Sequence, residues 1–424
     1  MRGTTSREFG EWFEAVWQRS DELFALIPES YWLERPIALR HPFLFYLGHL
    51  PAFAWNQICR GALGGGHLDQ CLDQLYERGI DPEDEVAVVP RSSDYWPTVA
   101  ETLDYRDKVR RAITESIDEV LSREGDLLCE YGRVLHLVIE HELMHHETLL
   151  YLLAAAPSAM ATRPSRLPAP VSGAGEAAEM VSIDAGQVTI GAEWEDLDFG
   201  WDNEFGQLVV DLPSFRIDSL PVRNSDWYSF WRRAGDASLF PQSWIRDGGE
   251  LLVRTVFGPV PFELAEGWPV QVSGDQARRY CATQGGRLPT EAELHRAAYT
   301  TPAGEVRRYP WGDEPPTAQH GCFGFVGWSP APVGSTPAGA SAWGVEELVG
   351  NGWEWTCSPF RPLPEFVPWA RTYPGYSADF FDDAHDVVFG ASWATDVKLL
   401  RPSFRNWYRR NYPYPFTSFR VVRG

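Results

Sequence analysis

No two cysteines in this 424-residue chain are spaced as CxxC. The six cysteines, at positions 59, 71, 129, 281, 322 and 357, are widely scattered, which argues against both a zinc ribbon and a dense disulfide framework. Long apolar runs are also missing, and no stretch approaches membrane-spanning length. The N-terminal "MRGTTSREFGEWFEAVW" is amphipathic and lacks the apolar core of a signal peptide. The expectation is a cytoplasmic protein with reduced thiols and no membrane partner. Positive charge is short too: 37 Lys and Arg stand against 59 Asp and Glu, a formal net charge of −22. That balance suits a phosphate backbone poorly, so no nucleic-acid partner is expected. No periodic repeat is evident.

What is present is ample for packed cores. An apolar fraction of 44% with 14% aromatics excludes extensive disorder. The length exceeds one ordinary domain and suggests two or three. Nineteen tryptophans and 37 glycines favour an irregular, loop-rich fold somewhere in the chain.

The chain reads as two halves of different texture. Residues 1–156 are helical in pattern. "SREFGEWFEAVWQRSDELFALI" places Phe9, Trp12, Phe13, Val16, Trp17, Leu23 and Phe24 near a 3.6-residue period, with Ser6 as N-cap. "HPFLFYLGHLPAFAWNQICRGAL" is a second apolar segment ending at a glycine run, with a kink or break expected at Pro51. A polar loop, "PRSSDYWPT", precedes an amphipathic segment from Val99 to about Arg123. The last segment is "DLLCEYGRVLHLVIEHELMHHETLLYLLAAA". Four such helices fit an antiparallel bundle. Residues 157–179 are rich in Ala, Pro, Ser and Gly and read as a linker. From residue 180 to 424, short β-like runs broken by Gly, Pro, Asp and Trp indicate one loop-rich α+β domain. The fold class is therefore α + (α+β).

The segment "HELMHHE" holds most of the recognisable chemistry. At about 100° per residue, His141 and His145 lie only about 40° apart on one helix face, one turn apart. His146 is about 100° beyond His145, and Glu147 about 240° from His141, so neither joins that face. His136 is likewise on the far side. A divalent site needs a third ligand, and His49 in "FLFYLGHLPAF" is the best local candidate, ahead of His41 and His67. The bland alternative is a pair of solvated histidines with His49 as a hydrogen-bonded core residue.

At these residues the chain resembles the ergothioneine-type nonheme iron sulfoxide synthases. "HELMHHE" fits their HxxxHxE pattern, and "GHL" at His49 matches the position of their third histidine. Those enzymes fuse a DinB-like bundle to a domain resembling the formylglycine-generating enzyme, with a C-type-lectin-like core. Residues 180–424 carry "GGRLPTEAELHRAA", "YPWGDEPP", "GNGWEWTCSPF", "GASWATD" and "RPSFRNWYRRNYPYPFTSFRVVR" in the matching order. Many of these residues read as structural. Thr290 and Glu293 form a capping-box pattern, and Trp353 and Trp355 alternate as on a buried strand face. Arg287, Glu291 and Glu354 belong with them as residues that hold the fold. The formylglycine-generating activity itself needs a cysteine pair near the C-terminus, and none follows Cys357.

The resemblance implies an Fe(II) site of His49, His141 and His145 with open positions for a thiolate and O2. It implies transfer of sulfur to the imidazole of hercynine, the Nα-trimethyl derivative of histidine, giving a sulfoxide. Asn406 and Trp407 match positions that hold the hercynine ammonium end, and an ammonium without N–H favours aromatic faces. In the actinobacterial type the residue before the second helix-borne histidine is glutamine, here Met144; an acidic residue follows "FRNW", here Tyr408. These departures weaken γ-glutamylcysteine as donor and favour free cysteine, another thiol or a selenium donor, as in a selenoneine synthase branch. Arg409 and Arg410, and Arg91 in the polar loop, are candidates for contacts to substrate. The proton donor is sought among Tyr95, which is slightly preferred, Tyr373 and Tyr376. Three other readings stand beside this one. They are an ovothiol-type enzyme forming 5-histidylcysteine sulfoxide, a zinc-dependent thiol transferase, and a metal-free lectin-like binding module.

Overall fold

The computed structural model describes residues 3–77, 96–156, 161–369, 373 and 375–424. The chain divides into two compact units. Unit 1 comprises Met1–Ser165 with two short segments from later in the chain, Leu197–Phe199 and Trp369–Pro374. Unit 2 comprises Arg166–Asp196, Gly200–Pro368 and Gly375–Gly424.

Unit 1 is helical: α1 (Ser6–Phe24), α2 (Phe43–Ala54), the short α3 (Gln70–Leu75), α4 (Val99–Ser122) and α5 (Arg133–Ala155). Helices α1 and α2 each pack on both α4 and α5, the pairing of a four-helix bundle. The N-cap of α1 is Thr5 rather than Ser6. Thr5 Oγ1 accepts from the Glu8 amide at 3.3 Å, and Glu8 Oε2 accepts from the Thr5 amide at 2.8 Å. The position of Glu8 decides this, because a capping box needs its acid three residues after the cap. Pro51 does not interrupt α2, which runs on to Ala54. The chain then widens into a π-helical segment, Trp55–Ala62, closed by Leu63 N–H donating to the Ile58 carbonyl at 2.9 Å. A proline removes one hydrogen bond, to the carbonyl four residues before it, and α2 carries that single loss without ending. Helix α5 starts later than its apolar pattern suggests, because Tyr131 and Gly132 have φ of 55° and 67°. A Cβ on Gly132 would lie 2.6 Å from the Phe9 ring, so glycine serves both backbone and packing there.

Unit 2 is built of short strands and helices. Its strands are β1 (Met180–Ile183), β2 (Gly186–Ile190), β3 (Leu208–Leu212), β4 (Phe215–Asp218), β5 (Trp244–Asp247), β6 (Glu250–Val253), β7 (Val260–Pro261), β8 (Trp353–Pro359), β9 (His385–Phe389), β10 (Asn406–Arg409), β11 (Thr417–Ser418) and β12 (Val422–Arg423). They form sheets ordered β1-β4-β12, β10-β9-β8-β11, β2-β3 and β5-β6-β7. Helices α6 (Asn224–Ala234), α7 (Phe262–Ala265), α8 (Gly274–Thr283) and α9 (Glu291–Tyr299) complete the unit.

The core of unit 2 is aromatic, with Trp227, Trp268, Trp353 and Trp355 all buried in one cluster. Thr290 caps α9 through Glu293, as its spacing predicts. Buried carboxylates meet arginines: Glu354 with Arg420, Glu291 with Arg405, and Glu204 with Arg401. Part of the expected linker lies against this unit. Trp268 Nε1 donates to the Val171 carbonyl at 2.8 Å, and the Glu176 amide donates to the Val333 carbonyl at 3.0 Å. All six cysteines are free, and among the described residues no helix is long and apolar enough to cross a membrane.

Candidate metal centre

Helix α5 presents His141 and His145 one turn apart, with ring centroids 4.5 Å from each other. That is the consequence of i,i+4 spacing on an α-helix. His49 reaches them from α2: its ring centroid lies 5.1 Å from that of His141 and 5.0 Å from that of His145. One ligand atom from each of the three falls within 4.8 Å of the other two. The remaining histidines of unit 1 lie elsewhere. His146 Nε2 sits 2.8 Å from Ser20 Oγ, and His136 packs against Phe9, Trp12 and Phe199. His41 stacks on Phe45, and His67 pairs with Asp73.

Burial makes these imidazoles neutral. His49 is fully buried and its pKa is pushed down to about 4, against a partly offsetting hydrogen bond to the Tyr76 carbonyl. His141 and His145 are held well below the ordinary histidine range, by burial first and then by the neighbouring imidazoles. The tautomer of His49 follows from chemistry. Its Nδ1 lies 2.7 Å from the Tyr76 carbonyl oxygen, which can only accept, so Nδ1 carries the proton and Nε2 the lone pair. That Nε2 points at His141 Nε2, 3.3 Å away. Buried His145 Nδ1 has no hydrogen-bond partner among the described residues. Three imidazole nitrogens gathered within 4.8 Å with no carboxylate among them fit a cation bound by nitrogen donors. Ring stacking restrains the aim: Phe53 lies on His141 at 3.5 Å and 9°, and Phe45 on His49 at 5.1 Å and 14°.

The structure distributes the other candidates unevenly. Tyr373 belongs to unit 1, its ring 6.4 Å from that of His141 and 5.4 Å from that of Phe53. Met144 is half-buried on α5, directly before His145. In unit 2, Trp407 stacks on Phe360 at 4.0 Å and meets the edge of Tyr376 at 5.3 Å. Tyr376 in turn stacks on Trp201 at 4.1 Å. Asn406 and Tyr408 flank Trp407 on β10. Asn406 Oδ1 accepts from the Trp407 amide, and Tyr408 packs on the aromatic core. Arg409 is exposed, whereas Arg410 Nε donates to Asp386 at 3.0 Å. Tyr95 and Arg91 lie outside the described residues. Sequence reasoning had no access to Tyr76 or Phe53. One acts through a backbone carbonyl and the other through ring stacking, and neither leaves a signature in residue type.

The two halves also match known families. Residues 13–149 match the DinB superfamily, and residues 166–424 match the family described as sulfatase-modifying factor enzyme 1-like domain. The chain is similar to hercynine oxygenase of Mycobacterium tuberculosis, 40% identical with 91% of each chain covered. It is 37% identical to hercynine oxygenase of Mycolicibacterium thermoresistibile, covering 81% of this chain and 78% of that one. It is 30% identical to ergothioneine biosynthesis protein 1 of Neurospora crassa, covering 97% of this chain but 57% of the fungal protein.

Proposed function

The chain belongs to the family of the hercynine oxygenases, and from that premise we propose that it joins the sulfur of a cysteine-type thiol to the imidazole ring of hercynine in ergothioneine biosynthesis. The reaction breaks one ring C–H and one S–H bond and forms a C–S bond. O2 takes up four electrons, placing one oxygen on sulfur as the sulfoxide and releasing the other as water with both protons. The observation that carries the reading is the group of three converging imidazoles, two buried and His145 partly so, in a chain of this ancestry. His49, His141 and His145 would hold Fe(II), which nitrogen donors suit and which would supply the O2 activation when bound.

The chain's own groups supply binding and proton control. Among the three candidate tyrosines, Tyr373, its ring beside those of His141 and Phe53, is the one we assign as proton donor. Tyr376 is engaged with Trp201 and Trp407, which favours a place in an aromatic cluster over proton transfer. Trp407 and Tyr376 supply aromatic faces suited to a quaternary ammonium, with Asn406 beside them. Arg410 already neutralises Asp386, so the exposed Arg409 is the better partner for a donor carboxylate.

Aerobic turnover of the purified protein with Fe(II), hercynine and a panel of cysteine, γ-glutamylcysteine and a selenosugar tests the reading, with mass spectrometry of the product. A sulfoxide formed from a thiol and dependent on O2 is expected. Absence of product with every donor overturns the proposal. A selenium-containing product alone moves the chain to selenoneine formation, and histidine turning over as well as hercynine moves it to the histidyl route.

A further inference from the structure

Asp73 is fully buried, and its carboxylate is met from three sides. Tyr105 OH donates to Oδ1 at 2.7 Å, while the Leu68 amide at 3.1 Å and His67 Nδ1 at 2.9 Å contact Oδ2. These contacts fasten α3 to α4 and to the loop before α3. With only six residues, α3 has too few hydrogen bonds to hold its own position, so side-chain anchors place it. Tyr76, one turn after Asp73, follows the end of α3 and is equally buried. Its hydroxyl pairs with Thr102 Oγ1 on α4 at 2.9 Å. Its ring lies against Gly48, where an added Cβ would come within 2.3 Å of the ring. Its carbonyl accepts Nδ1–H of His49, the residue after Gly48, at 2.7 Å.

We infer that Asp73 and Tyr76 form a positioning clamp that carries the placement of α4 to His49, setting the tautomer of its imidazole and the direction of its Nε2 lone pair. The inference rests on the reading of the three histidines as a metal site. Outer partners of a metal-bound histidine fix ring orientation and basicity, and their loss typically lowers metal affinity by about ten- to a hundredfold. The clamp also explains the glycine of "GHL": a side chain at position 48 would push Tyr76, and its carbonyl, away from His49.

The experiment compares wild type, Asp73→Asn, Tyr105→Phe and His49→Ala, with Ile113→Val as a core control on α4. Two quantities are read: Fe(II) affinity by chelator competition, and the tautomer of His49 in the metal-free protein by 15N–1H correlation of the imidazoles. The expected result is an Nδ1–H His49 in the wild type. Asp73→Asn and Tyr105→Phe should show mixed tautomers and bind Fe(II) roughly tenfold or more weakly. Ile113→Val should lose some stability and keep both tautomer and affinity. Wild-type tautomer and affinity in both clamp variants overturn the clamp. Wild-type affinity in His49→Ala overturns instead the metal reading on which it rests, while the tautomer measurement still tests the clamp. If Asp73→Asn does not fold, Tyr105→Phe, which removes one hydroxyl, carries the test.

Discussion

Each interior holds a distinctive group of buried polar side chains, and the two groups differ in kind. In unit 2 several buried carboxylates are matched by guanidinium groups: Glu354 and Arg420 are both fully inaccessible and joined at 2.5 and 2.6 Å. Glu291 with Arg405 and Asp386 with Arg278 and Arg410 repeat the pattern. In unit 1 three imidazoles converge with no carboxylate in the group, each neutral because burial opposes its charge. A paired charge is satisfied within the chain and holds a loop-rich fold in one arrangement. Converging imidazole nitrogens with no carboxylate among them are suited to a cation that arrives from outside. The difference separates buried charge that is neutralised within the chain from buried nitrogen donors that suit a cation.

The sharpest way to break this contrast is His141→Ala. Fe(II) binding and hercynine turnover are expected to fall to background, read by metal analysis and product formation; activity that survives removes His141 from the ligand set. On the structural side, Glu354→Ala leaves the Arg420 guanidinium buried and uncompensated. That should cost about 3–5 kcal/mol and lower the melting midpoint by roughly 10 °C. An unchanged midpoint would mean that the paired interior is not what holds unit 2.

Acid gives a third test, on metal-free protein. Burial pushes both His49 in unit 1 and His295 in unit 2 down to about 4 from the ordinary 6.5. Above pH 6.5 both are neutral whether folded or unfolded, and they contribute nothing to pH dependence. Between 6.5 and about 4 the unfolded chain takes up protons that the folded chain refuses. Stability therefore falls as pH drops, by about 1.4 kcal/mol per pH unit for each such histidine. Denaturant melts between pH 7 and 4 measure this. Replacing His295 by Gln should make the slope shallower, and no change would place its charge elsewhere. The smallest expected effect separates two neighbours. Arg409→Ala should alter stability by less than about 0.5 kcal/mol and raise KM for the thiol donor. Arg410→Ala should cost more stability, because Asp386 then keeps only Arg278.

Local patterns were legible where the physics is local. The 3.6-residue stripe gave the long helices of unit 1, and the helical angle alone separated His141 and His145 from His146 and Glu147. The capping box at Thr290 and Glu293 was readable for the same reason, whereas the equally local box at Thr5 and Glu8 was placed one residue late. No break occurs at Pro51, because a single missing N–H does not by itself end a helix. For Arg410, residue type left open whether the charge met a ligand or solvent. Its partner, Asp386, is on another strand.

By itself the sequence determined that two textures of chain exist, which histidines share a helix face, and which family motifs stand in which order. Each of these depends on spacing or order along the backbone. Only the tertiary structure decided that His49, 92 residues before His141, comes within 3.3 Å of it. The tertiary structure also decided that a carbonyl at Tyr76 selects its tautomer, and that Tyr373 lies beside the histidines. Those are contacts across long loops, made by burial and close packing. No periodicity encodes which distant carbonyl, ring or lone pair ends up opposite another.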